Sequence, residues 1–140
     1  MPENQRSKSI VHIVTNNDFF YLLFKTFIQK VAKDCSVEKV ELIQETYLNE
    51  SFTHDQLPQL IIVDANITGI SPIDLLNTLR TELRFTMQIW FVTEISARQY
   101  LSKIMDVGAN LILFKPFDPE KLAIQIVDLI KTKHTYEPNF

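Results

Sequence analysis

Three side chains of different chemistry each close a short apolar run. The carboxylate of Asp64 follows Leu60-Ile61-Ile62-Val63, the hydroxyl of Thr93 follows Ile89-Trp90-Phe91-Val92, and the ammonium of Lys115 follows Leu111-Ile112-Leu113-Phe114. Together they form a set able to pair charge and hold a ligand. Taken alone, Asp64 has a plainer role, because an aspartate after a strand commonly caps the loop behind it. The fold decides between the two by bringing the three together or leaving them scattered.

Apolar runs without alternation describe strands covered on both faces, as in a parallel sheet between helices. The chain alternates such strands with helices. Residues 9–14 read as a first strand, and Thr15-Asn16-Asn17-Asp18 as loop and cap chemistry. From Phe19 to about Ala32 the apolar residues Phe20, Leu23, Phe24, Phe27 and Val31 recur at three- and four-residue steps, an amphipathic helix. Residues 37–43 suit an edge strand, with Val40 and Leu42 alternating against charged neighbours, and residues 45–55 are weakly helical. After Asp64, Pro72 opens a helix with Ile73, Leu76, Leu79 and Leu83 on its apolar face. Residues 87–92 form a fourth strand. Ser96 is placed to cap a helix carrying Ala97, Leu101, Ile104 and Met105 that stops at Gly108. Residues 111–114 are a fifth strand, and Asp118-Pro119 starts a last helix with Leu122, Ile126, Leu129 and Ile130 inward.

Five strands alternating with five helices imply an α/β fold, a doubly wound parallel sheet in the order 2-1-3-4-5, flavodoxin-like. In that order Thr15-Asn16-Asn17, Asp64, Thr93 and Lys115 converge on the crevice outside the carboxyl ends of the strands. The chain reads as a single domain over residues 1–140, with a core at about 9–132 and polar tails.

Composition narrows the function classes. The 140 residues are 46% hydrophobic and 22% charged with a net charge of −3, enough apolar content for one real core. No basic patch stands out, so neither nucleic acid nor an anionic membrane is an expected partner. The single cysteine, Cys35, fits a reducing, cytoplasmic setting. No apolar run approaches the length of a membrane span, and the first nine residues are polar rather than signal-like. Gly69 and Gly108 are the only glycines, which excludes a dinucleotide fingerprint and a phosphate-cradling loop. His12 reads as a packed or hydrogen-bonded core histidine. The aromatic residues Phe19, Phe20, Tyr21, Phe24 and Phe27 read as core and rim.

At Leu-Ile-Ile-Val-Asp64, Phe-Val-Thr93 and Gly108-Ala-Asn-Leu-Ile-Leu-Phe-Lys115-Pro116-Phe117 the chain resembles the receiver domains of two-component response regulators, over roughly residues 9–132. The resemblance implies that Asp64 accepts a phosphoryl group from a histidine kinase or phosphotransfer protein. It implies that Thr93 contacts the phosphoryl oxygens and that Lys115, before a cis Pro116, pairs with aspartate or phosphate. Asn66 matches the position whose backbone carbonyl ligates Mg2+. Such a domain is not an enzyme beyond self-phosphorylation from a phosphodonor, and it acts on a downstream protein partner. Its preferred contact face comprises the last two helices and the fifth strand, through which a homodimer can also form.

The chemistry behind the set is charge neutralisation. A carboxylate attacking phosphorus spreads negative charge over three equatorial oxygens, which lysine, threonine and a magnesium ion offset. Here the sequence departs from the family, whose first strand ends in two acidic metal ligands. Thr15 and Asn16 stand at those places, so beside Asp64 and the Asn66 carbonyl a metal would find only weak neutral oxygens, from Asn16 and at most from Thr15. One unit charge about 4 Å from a divalent cation contributes roughly 8 kcal/mol of gross attraction at an effective dielectric near 20, so even a small uncompensated part weakens binding greatly. The family's aromatic switch position is Ile112. Glu94 fills a place usually held by a small residue, where it would crowd a phosphate, partner Lys115 or point to solvent. The set therefore also suits a phosphorylation-independent pseudo-receiver acting as a constitutive interaction module. A phosphoaspartyl hydrolase of the haloacid-dehalogenase type, distantly resembled by Asp64-Ala-Asn66-Ile-Thr68, lacks its second aspartate, which is Asn66 here.

Overall fold

Each apolar run of the sequence is a strand, and each is followed by a helix. In the computed structural model, which describes residues 9–132, β1 (Ile10–Val14), β2 (Ser36–Val40), β3 (Leu60–Asp64), β4 (Gln88–Thr93) and β5 (Leu111–Phe114) form one parallel sheet. The strand order is β2-β1-β3-β4-β5, the doubly wound order expected from the alternation. The helices are α1 (Asp18–Val31), α2 (Ile43–Tyr47), α3 (Pro72–Asn77), α4 (Arg98–Val107) and α5 (Pro119–Thr132). The tails expected at both ends lie outside the described residues.

Successive side chains of a strand face opposite sides of the sheet, and this divides the core in two. Val11 and Ile13 of β1, Leu60 and Ile62 of β3, and Trp90 and Val92 of β4 pack with Phe20, Phe24 and Ile28 of α1 and Leu122, Ile126 and Ile130 of α5. On the other face Val14, Ile61, Val63, Ile89 and Phe91 pack with Ile43 and Tyr47 of α2, Leu75 and Leu76 of α3, and Ile104 of α4. All five residues of β3 are buried, as befits the central strand. Each fully buried aliphatic side chain contributes about 2 kcal/mol of transfer free energy, so β3 is the best-anchored element of the sheet.

The helices differ from the sequence reading at their margins. The inner stripe of α1 is Phe20, Phe24 and Ile28, a strict four-residue step, and Val31 is exposed. Strand β2 ends at Val40, and Leu42 is exposed because the chain turns there into α2. The weakly helical stretch at 45–55 resolves into α2 and a single 3-10 turn at His54–Gln56. Helix α4 begins after Ala97 without a side-chain cap, so Ser96 does not serve as one, and Met105 is exposed. By contrast, Asn17 caps α1 by accepting the Phe20 N–H, Ser71 caps α3 by accepting the Asp74 N–H, and Asp118 accepts the N–H groups of Glu120 and Lys121.

Helix α3 does not run on regularly; it widens into a π turn at Thr78–Glu82, closed by the Leu83 N–H on the Thr78 carbonyl. Arg80 makes this turn part of the scaffold. Its guanidinium donates to the carbonyls of Gly108, Phe85 and Met87 and to Asn110 Oδ1, at 2.7–3.0 Å. Asn110 Oδ1 also accepts the Ile89 N–H. One side chain thereby ties the end of α3 to the starts of β4 and β5.

Candidate functional site

Strand register places the candidate residues side by side. Val14 pairs with Val63, so Thr15 follows β1 next to Asp64, the last residue of β3. Asp64 pairs with Val92, and Thr93 pairs with Phe114, so Lys115 follows directly on β5. The crossing chain is pinned there as well, because the Ala65 N–H donates to the Val92 carbonyl and the Lys115 N–H to the Thr93 carbonyl. Thr15, Asp64 and Thr93 are buried, and Lys115 is half-buried.

Asp64, 2% exposed, has both carboxylate oxygens engaged. The Thr15 hydroxyl donates to Oδ2 at 2.7 Å. The Asn66 N–H donates to Oδ1 at 2.9 Å, and Lys115 Nζ lies 3.7 Å from the same oxygen. A buried carboxylate needs such partners, because an unpaired one in a low-dielectric interior is costly. Lys115 Nζ also stands 5.1 Å from the centre of the Phe20 ring, so the first turn of α1 forms one wall around the ammonium. The Lys115–Pro116 peptide bond is cis.

The loop after β1 is organised by the residues that replace an acidic pair. Thr15 Oγ1, while donating to Asp64, accepts the Asn17 N–H at 3.0 Å. Asn16 Oδ1 accepts both the N–H and the hydroxyl of Thr68, in the loop that follows β3. The oxygen that Asn16 was expected to offer a metal is thus already committed. Asp18 opens α1, is exposed and pairs with Lys39, which also pairs with Glu41.

The remaining expected residues are placed as follows. Thr93 Oγ1 accepts the Ile95 N–H at 3.0 Å. Glu94 is exposed, and Lys115 pairs with Asp64, so the expected alternative of a Glu94–Lys115 partnership is not adopted. Ile112 is half-buried on the face covered by α2, α3 and α4. Pro116 and Asn66 are both exposed.

The donor set does not fit a divalent cation. Magnesium takes oxygen ligands in octahedral geometry and is held through carboxylates. Among the described residues no group of three or more His, Cys, Asp and Glu side chains is placed to hold a metal ion. Asp64 is the one buried acid of the pocket, and Lys115 already balances its charge.

Sequence reasoning missed two features. From the sequence Thr15 is at most a weak metal ligand, whereas in the fold it is a hydrogen-bond donor to the central carboxylate. The Asn16–Thr68 contact joins residues 52 apart in sequence and no periodicity signals it.

No curated protein sequence matches the chain significantly. Known structures share the fold at low identity. A two-component response regulator from Clostridium difficile superposes with a TM-score of 0.74 at 17% identity, covering 91% of this chain and 100% of that one. A putative response regulator from Chloroflexus aurantiacus J-10-fl gives 0.68 at 22% identity, covering 89% and 98%. The chemotaxis response regulator CheY4 of Vibrio cholerae gives 0.70 at 19% identity, covering 87% and 98%. At such identities these likenesses speak for the fold alone. The family model of the response regulator receiver domain matches residues 11–127, most of the chain, including every strand-end residue described above. Sheet order, strand-end residues and family match agree, and the chain belongs to the receiver domains of two-component response regulators.

Proposed function

We propose that this receiver domain signals through protein–protein contacts in its unphosphorylated form, as a pseudo-receiver in which Asp64 is a resting carboxylate. The observation that carries this reading is the Thr15 hydroxyl on Asp64 Oδ2, at the place where the family has acidic metal ligands. Phosphoryl transfer to a carboxylate needs one oxygen free to approach phosphorus and positive charge for the three equatorial oxygens. Here both Asp64 oxygens accept hydrogen bonds or an ion pair, and among the described residues no second buried acid stands beside it to bring in a cation. The domain is then no enzyme. Its partners are proteins, and the face with α4, β5 and α5 is the proposed contact, also for a homodimer. The exposed apolar side chains of Met105, Leu111, Phe114 and Ile124 on those elements support that choice. A cytoplasmic setting is part of the proposal, supported by the single cysteine, Cys35, which has no second cysteine with which to form an internal disulfide.

A second reading has its own support. Lys115 stands 3.7 Å from Asp64, and Thr93 ends the adjoining strand, as a phosphoacceptor site would need. On that reading a histidine kinase or phosphotransfer protein supplies the phosphoryl group, with Asp64 as the acceptor. Intact mass after incubation with acetyl phosphate and Mg2+ separates the two, with Asp64→Asn as control. The proposal expects no added phosphoryl group in the folded protein. A gain of one group in the native chain, absent in the variant, would establish the second reading.

A further inference from the structure

We propose that Thr15 and Asn16 form a hydrogen-bonded clasp that does the joining a divalent cation would otherwise do, and that the pocket takes no such cation. The inference rests on the reading of Asp64 as a resting carboxylate and says what keeps it so.

Two loops meet over Asp64, the one after β1 and the one after β3. Asn16 Oδ1 has two acceptor sites, and Thr68 fills both with its N–H and its hydroxyl. Thr15 has one hydroxyl proton, and Asp64 Oδ2 takes it at 2.7 Å. Its oxygen also receives the Asn17 N–H, which fixes the hydroxyl in that orientation. For a cation to enter, the Asn16 and Thr15 bonds would have to break, and neither residue would return a negative charge.

The charge balance points the same way. One carboxylate, Asp64, faces one ammonium, Lys115, and their formal charges cancel. Asp18 and Glu41, the acids next along on α1 and after β2, are both spent on Lys39. Glu94 is exposed to solvent. Nothing within the pocket repays the dehydration of a small divalent ion, which gives up its water reluctantly. Thr15 and Asn16 are positioning residues: they hold Asp64 and the loop after β3 in one arrangement.

The clasp is testable with Mn2+ as the probe, on the 15N-labelled full chain. The amide signals of Asn66 and Thr68 are expected to stay sharp with millimolar Mn2+. The double variant Thr15→Asp, Asn16→Asp is expected to acquire Mn2+ broadening at those amides, reversible by Mg2+. Asn16→Asp alone, at an exposed position, serves where the buried Thr15→Asp prevents folding. Selective broadening in the native chain, lost in Asp64→Asn, would overturn the proposal, and so would folded acidic variants that take up no cation. Amide exchange gives a readout free of metal. Thr68 is exposed, yet its N–H should be protected in the native chain and lose about tenfold or more of that protection in Asn16→Ala, the size of one lost hydrogen bond. The Ala65 N–H, bonded to Val92, should not change. Unchanged exchange at Thr68 would overturn the clasp. Phosphorylation by acetyl phosphate without metal would instead overturn the resting-carboxylate reading and leave the Mn2+ result intact, so the two failures are distinct.

Discussion

At the scale of single residues, the hydroxyl of Thr15 has the most decisive chemistry in the pocket. It is fully buried and, among the described residues, supplies the hydrogen bond that Asp64 Oδ2 accepts. Replacing it with the isosteric Val removes the donor and leaves an unsatisfied carboxylate oxygen in a buried site. Thr15→Val should therefore destabilise the fold by about 1–3 kcal/mol, while Thr15→Ser, which keeps the donor, should recover much of that. Equilibrium urea denaturation of both variants checks this, with the midpoint expected to move and the slope to stay constant. A loss in Ser with none in Val would mean that the γ-methyl group and not the hydroxyl matters. Much of this site was legible in the sequence, because each of Asp64, Thr93 and Lys115 closes an apolar run and parallel strands bring such ends together. The roles of Thr15 and Asn16 were not legible. Their partners, Asp64 and Thr68, are 49 and 52 residues away, and only the path of two loops decides that they meet.

At the scale of elements, the two glycines separate backbone strain from packing. Gly69 has φ of +94° with open space where a Cβ would stand, whereas Gly108 has φ of +135° and would place a Cβ 2.5 Å from Arg80 Cγ. Both lie where an L-residue is strained, and that alone costs on the order of 1 kcal/mol. At Gly108 a methyl group must also displace the Arg80 side chain, which donates to the Gly108 carbonyl and joins α3 to β4 and β5. Gly108→Ala is thus expected to lower stability by about 2–4 kcal/mol, clearly more than Gly69→Ala. Thermal denaturation of the two variants side by side checks the ordering, and equal losses would mean that the Arg80 joint gives way without cost. Gly108 was readable as the end of α4 from its place after an apolar helical face. Arg80 was not, since a single arginine among leucines carries no sequence signal for the four carbonyl and amide oxygens it finds. The same holds for the π turn, which replaces the regular helix expected through Leu83. Strong periodicity marked α1 and α5, while the short, polar stretch around α2 gave propensity little to act on.

At the scale of the whole molecule, a buried histidine couples stability to pH. His12 of β1 is 1% exposed, and its Nδ1 lies 2.7 Å from the Tyr47 hydroxyl of α2. Burial, with the Glu38 charge, pushes the Tyr47 phenol up, so it keeps its proton and donates to Nδ1. The ring proton then sits on Nε2, 3.4 Å from Glu38 Oε1 on β2. Glu38 and Tyr47 are thus the ionisable groups that face the ring, and Ile61, its neighbour on β3, is apolar. Burial holds the imidazole below its ordinary value, an effect larger than the opposing attraction of Glu38. In the unfolded chain His12 titrates near 6.5, so below that pH the unfolded state binds a proton that the folded state refuses. Stability from this residue is fully present above about 6.5 and falls as the pH drops through it, by up to about 1.4 kcal/mol per pH unit until the folded protein also protonates. His12→Gln, which can still accept the Tyr47 hydroxyl, should flatten this slope between about pH 7.5 and 5.5. Glu38→Gln should steepen it, because the folded imidazolium loses its one nearby anion. Urea midpoints measured across that range check both variants, and a slope identical in the native chain and His12→Gln would place the pH dependence elsewhere. Protonation would also cost the Tyr47 hydroxyl its acceptor at Nδ1, and α2, only five residues long, rests on Ile43 and Tyr47. The acid-side loss of stability is therefore expected to begin at α2, seen as faster amide exchange in residues 43–47 than in β3.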